Sequence, residues 1–129
     1  MYKEIIICVV VIIIVVGLNI LTQNYTKESI ALMTDNLESL KQTMITEEQD
    51  EDNINEQIDN ILNNWNDRHK ILAYYIEHDE LEKVETELVL LKGNIEVQEY
   101  EQGIPNLSNC IFILEHIKEK TALQIKNIF

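Results

Sequence analysis

Trp65 and Arg68 stand one helical turn apart on a stripe that is otherwise aliphatic, with Ile54, Ile58 and Ile61 before them and Leu72 after, and Arg68 is the only arginine in the chain. Residues of these types at this spacing do one of two things. Either the indole sits in a core while the guanidinium reaches a carboxylate of a neighbouring helix, or the pair forms a docking face in which the indole stacks and the guanidinium holds a partner's carboxylate. An unpaired guanidinium on a core stripe is too costly to keep, so a carboxylate is expected within reach, from the acids between Glu77 and Glu87 or from Glu115 and Glu119. Trp65 and Arg68 are therefore the candidate partner-binding residues.

No constellation for catalysis accompanies them. Di-iron bundles carry Glu-x-x-His pairs, whereas the residues three before His69, His78 and His116 are Asn66, Tyr75 and Ile113. The sequence holds no His-Glu-x-x-His, no Cys-x-x-Cys, no glycine-rich phosphate loop and no serine in a nucleophile-elbow context. The acidic run TEEQDED at 46–52 resembles a calcium loop only in composition: aligned from Asp50, it puts Ile54 at a ligand position, Asn55 where the turn needs Gly and Ile61 at the bidentate Glu. Cys8 and Cys110 lie too far apart to form a disulfide framework in one chain; Cys8 reads as lipid-facing filler and Cys110 as a small buried apolar group. No catalytic residue, metal ligand or cofactor is expected, and the chain reads as non-enzymatic.

Charge narrows the partners. From Lys27 onward nine basic residues face twenty-two acidic ones, a net charge of −13. Such a surface repels phosphates, which argues against nucleic acid and anionic lipid heads and leaves a basic protein patch or a divalent cation as the easier match.

All of this hangs from residues 5–21, IIICVVVIIIVVGLNIL, where fourteen of seventeen residues are Ile, Val or Leu. The uncharged run continues to Thr26, and its 22 residues reach ~33 Å as a helix, enough for a hydrocarbon core. Tyr2 and Tyr25 stand where amphipathic rings prefer headgroup layers, with Lys3 and Lys27 beside them as charged stops. A buried strand or core helix fits less well, since strands rarely run so long and no second strand-like segment exists to pair with it. A cleaved signal peptide would need a shorter apolar part and a small residue where Val15 stands. The expectation is an uncleaved anchor over residues 5–25. Flanking positive charges are nearly balanced, and a short head before a long tail favours a cytoplasmic N-terminus with the C-terminal domain extracytoplasmic. Two domains follow: a transmembrane anchor at 1–26 and an acidic helical bundle at 27–129.

Beyond the anchor, Ile30, Met33, Leu37, Leu40 and Met44 continue at helical spacing, so the same helix runs on into water until residues 46–52. Asn53 and Glu56 suggest a capping box, and a second helix is expected from there to about Glu77. The apolar phase then jumps to Leu81, Val84, Leu88, Leu91 and Ile95, and Asp79 with Glu82 suggests a second box, placing a break at His78 and Asp79. Gly93 is expected to weaken that third helix or mark a close crossing, and residues 102–105, with Gly103 as a left-handed cap and Pro105 as a stop, to end it. A last helix is expected over 106–127 with Leu107, Cys110, Leu114 and Ile117 inward. The fold class is all-α: a single transmembrane helix continuing into an up-and-down antiparallel bundle of three to four helices.

The N-terminal anchor, Trp65 followed by Arg68, the His78-Asp79-Glu80-Leu81 helix start and the closing Asn127-Ile128-Phe129 together resemble a "domain of unknown function" family of small membrane-anchored helical proteins from spore-forming bacteria. The resemblance covers nearly the whole chain and implies no activity. It does imply assembly with another membrane protein. The reading from sequence is thus a non-enzymatic, single-pass domain at the cell membrane that docks on a membrane or envelope partner; the alternative is a ligand- or cation-binding sensor ectodomain that works through an associated membrane protein.

Overall fold

The computed structural model describes residues 1–46 and 50–128, with side chains described through Leu123. Four helices follow one another: α1 (Tyr2–Ile45), α2 (Glu51–Leu72), α3 (His78–Glu96) and α4 (Tyr100–Ile128). They form an up-and-down bundle in which α1 packs on α2 and α4, and α3 packs on the same two. The core is the set of stripes written in the sequence. Ile30, Met33, Leu37, Leu40 and Met44 of α1 meet Ile54, Ile58, Ile61 and Trp65 of α2, with Leu81 to Ile95 of α3 and Leu107 to Ile117 of α4 closing the ring.

α1 is 44 residues long and outruns the bundle. Its apolar first half is long and apolar enough to cross a membrane, and none of that span is buried by the rest of the chain. Ile5 through Ile14 and Leu18 through Leu21 expose about half or more of their large side chains, the opposite of a core helix. Where this segment meets the bundle, the polar groups are satisfied within the helix: Thr22 donates to the Asn19 carbonyl (3.0 Å) and Thr26 to the Thr22 carbonyl (2.7 Å).

The turns differ from expectation in instructive ways. α2 begins three residues before the expected box. Asp50 is its N-cap, Oδ1 accepting from the Asn53 amide at 3.3 Å, and Glu51 and Asp52 fill the first turn where the helix dipole favours acids. α2 also stops at Leu72 and not near Glu77, because the Tyr74 and Tyr75 amides turn back to the Ile71 and Leu72 carbonyls in a tight turn. The break before α3 lies where the phase jump put it, but the second box does not form: Glu77 is the N-cap, without a side-chain bond, and Asp79 is already inside the helix.

The expected stop at 102–105 is displaced. α3 ends at Glu96, where Glu99 N–H bonds the Asn94 carbonyl (2.8 Å) and Gln98 N–H the Ile95 carbonyl (3.0 Å), with Gln98 left-handed at φ 59°. This is a Schellman closure using Gln where Gly is usual. Gly103 and Pro105 consequently fall inside α4. Pro105 is the sixth residue of α4 and forfeits the backbone bond an N–H would make there. Gly103 is there for closeness: a Cβ would sit 3.2 Å from both Leu91 Cδ1 and Met44 Cε, so these side chains of α3 and α1 pack directly on the α4 backbone. Gly93, the expected crossing, faces open space.

Candidate functional site

α2 and α3 are held together less closely than the other neighbours, and a groove of about 500 Å³ opens between them. Trp65 and Leu62 form its floor from α2; Glu82, Glu85, Thr86 and Val89 line it from α3. The spacing explains the lining. Glu82, Glu85, Thr86 and Val89 recur every three or four residues, one face of a helix, turned outward from the core stripe that begins at Leu81. Val89 is 64% exposed. Lys92 Nζ bonds Asp59 Oδ1 at 2.9 Å and ties the two helices together beside the groove.

Trp65 is only 2% exposed, packed in the core with its ring 5.5 Å from that of His69. Its indole Nε1 is buried and has no hydrogen-bond partner among the described residues. A buried indole N–H usually finds an acceptor, so this one is an unsatisfied donor inside the core.

Arg68 points elsewhere. Its Nη1 donates to Ser29 Oγ at 3.4 Å, Nη2 lies 3.8 Å from Glu28 Oε1, and the guanidinium stands 5.1 Å from the centre of the Tyr25 ring. The acid it meets is therefore on α1 and not among the residues from Glu77 to Glu87 or at Glu115 and Glu119. Antiparallel packing is the reason: the last turns of α2 run beside residues 22–29 of α1, and Arg68 reaches sideways to that helix. Glu28 is 72% exposed, so this is a half-wet pair steadied by an aromatic face. Trp65 and Arg68, adjacent in sequence, thus serve two different surfaces.

Seven residues on from Arg68, just past the end of α2, Tyr75 completes a second tie to α1. Its hydroxyl lies 2.8 Å from Thr26 Oγ1 and 3.2 Å from the Thr22 carbonyl. Burial raises the phenol's pKa above its ordinary value, partly offset by the Thr26 hydrogen bond. At the same end, Glu80 is nearly buried, with Lys120 Nζ at 3.6 Å and Lys83 Nζ at 3.8 Å from Oε1. Lys120 also reaches Glu77 Oε2 at 3.4 Å, pinning α4 to the start of α3.

Nucleophilic chemistry finds little here. Cys110 is fully buried, and burial with the nearby Glu87 charge pushes its thiol up to about 12, so it stays protonated and inert at neutral pH. Among the described residues no group of three or more His, Cys, Asp and Glu side chains could hold a metal ion.

The model of a family described as "Domain of unknown function (DUF4363)" matches residues 20–128. The chain belongs to that family. No curated protein and no solved structure matches it. The DUF4363 match takes in the groove, Arg68 and the Tyr75 tie, and begins at the end of the apolar stretch, leaving residues 5–19 outside it. A family of unknown function, expected from the short motifs, is what the chain belongs to; the match brings no activity.

Sequence reasoning left Trp65 between a core ring and a docking face, of which the structure shows it buried, and missed three features. The α2–α3 groove left no mark, because Glu82, Glu85 and Thr86 look like any solvated helix face. Tyr75 was legible as a stripe member, but its bond to Thr26 depends on where α2 ends. Glu80 is an acid on an acidic helix, and only the position of Lys120 makes it distinctive.

Proposed function

We propose that this DUF4363 protein is a non-enzymatic, single-pass anchored domain of the cell membrane, with residues 5–25 in the bilayer and the acidic bundle on the extracytoplasmic side, and that it docks on a membrane or envelope protein through the α2–α3 groove. The observation that carries the anchoring is the apolar half of α1, none of which the rest of the chain buries, although it is continuous with a well-packed bundle. Seventeen such residues in water would be a costly patch, and a hydrocarbon layer removes the cost. Docking is supported by the groove itself, with apolar lining from Leu62, Trp65, Leu88 and Val89 and the acids Glu82 and Glu85 beside it. A basic partner segment with an apolar side chain to seat in the groove would suit both.

The test is site-specific photocrosslinking in native membranes, with the photoreactive residue at Val89 on the groove and, as control, at Phe112, which is 73% exposed on α4. A discrete adduct from Val89, absent from Phe112 and lost on Thr86→Arg, supports docking through the groove. Equal adducts at both sites, or none at Val89, overturn it. A sensing ectodomain that takes a small, largely apolar ligand in the same groove is the second reading, and the apolar lining from Leu62, Trp65, Leu88 and Val89 favours it. In that case Val89 yields no protein adduct, while ligand addition quenches or shifts Trp65 fluorescence, the only Trp emission in the chain.

A further inference from the structure

The α2–α3 turn stands at a depth that can be read from α1. Tyr75's hydroxyl touches the Thr22 carbonyl and the Thr26 hydroxyl, so the turn lies level with the last residues of the uncharged run that ends at Thr26. If residues 5–25 fill a bilayer, that level is the headgroup layer. On this turn Tyr74 is 88% exposed, and Ile71 in the last turn of α2 is 46% exposed, an aromatic and an aliphatic at the one end of the bundle from which the apolar helix departs.

Charge is sorted along the same axis. In the half of the bundle away from the apolar segment, residues 34–61 and 87–113, eleven described carboxylates face two cations, Lys41 and Lys92. In the half next to it, residues 22–33, 62–86 and 114–123, nine carboxylates face six cations, Lys27, Arg68, Lys70, Lys83, Lys118 and Lys120, and all three histidines are there as well. A phosphate-bearing surface repels the first half and tolerates the second. Tyrosine prefers the interfacial layer, its ring among acyl chains and its hydroxyl among headgroups, and exposed Ile71 supplies apolar area beside it.

We infer that the α2–α3 turn is a second membrane contact, Ile71 and Tyr74 entering the headgroup layer of the bilayer that α1 crosses and holding the bundle upright on it. This rests on the anchoring reading above. Three ties make the turn a rigid foot: Arg68 to Glu28 and Ser29, Tyr75 to Thr22 and Thr26, and Lys120 to Glu77.

The test places Tyr74→Trp in the full chain, reconstituted in phosphatidylcholine vesicles whose acyl chains carry bromine near the headgroup. Buried Trp65 gives the background, measured in the parent protein. The foot requires that the introduced indole emits blue-shifted, resists aqueous acrylamide and loses emission in brominated vesicles. Emission that acrylamide quenches freely and bromine leaves untouched overturns it. Cys8 in the same vesicles separates the two readings. If Cys8 is shielded from an impermeant maleimide while the introduced indole is wet, the foot alone fails; if Cys8 reacts, the anchor fails and the foot with it.

Discussion

Arg68 shows how a residue's neighbours, and not its type, set what its loss costs. Its stem is three-quarters covered, with the side chain 24% exposed, but its acid, Glu28, is 72% exposed and keeps its water when the guanidinium goes. Arg68→Met, which keeps the stem, is expected to be near neutral in chemical denaturation, and Arg68→Ala to cost about 1 kcal/mol through lost packing and the Tyr25 contact. A loss of several kcal/mol, as for a buried pair, would contradict this placement. Cys110, Tyr75 and Tyr100 give the domain a pH signature. Burial raises all three above their ordinary values, Cys110 from 9.0 to about 12. The folded state therefore holds these protons more tightly than the unfolded chain, so their contribution is complete below about pH 9 and is lost as pH rises through the folded values. The thiol alone contributes a slope of up to about 1.4 kcal/mol per pH unit in that window. Denaturation midpoints should fall above pH 9, and Cys110→Ala should flatten the fall; an unchanged profile would show the thiol is solvated.

At the scale of the elements, the stripes were legible and the punctuation was not. Every core position named from periodicity on α3, and Ile30 to Met44 on α1, is buried, because a 3.6-residue period reports directly which face meets the core. Helix ends escaped because two of them use residues outside the usual vocabulary. Gln98 fills a left-handed position where Gly is usual, which hid the α3–α4 turn and left Gly103 and Pro105 looking like a terminus. The turn after Leu72 has no Gly or Pro at all. The two glycines make a paired test of this account. Gly93 meets open space, so Gly93→Ala should stabilise by about 1 kcal/mol, the ordinary helix-propensity gain. Gly103→Ala has the same propensity to gain but must displace Leu91 and Met44 at 3.2 Å, so it should show little gain or a net loss in thermal unfolding. Equal stabilisation by both would mean that the α4 crossing is looser than the structure has it. For the candidate site, the stripe carried Trp65 as either a core ring or a docking face; which surface Arg68 serves depends on the angular position of α2 against α1, and no one-dimensional pattern carries that.

As a whole molecule, the protein is a long apolar rod with an acidic four-helix bundle at one end, its net negative charge concentrated away from the rod. That polarity is the central claim: α1 crosses the bilayer and the bundle stands outside the cytoplasm. The two native cysteines suit a direct test, since Cys110 is buried and Cys8 lies in the apolar segment, so neither should react with a charged maleimide. A cysteine placed at Thr46, exposed at the end of α1 farthest from the rod, is then the one reporter. The account predicts that Thr46→Cys labels in intact cells or spheroplasts, while the parent protein does not. Labelling of Thr46→Cys only after lysis would put the bundle on the cytoplasmic side, and labelling of Cys8 in intact membranes would show that α1 does not cross them.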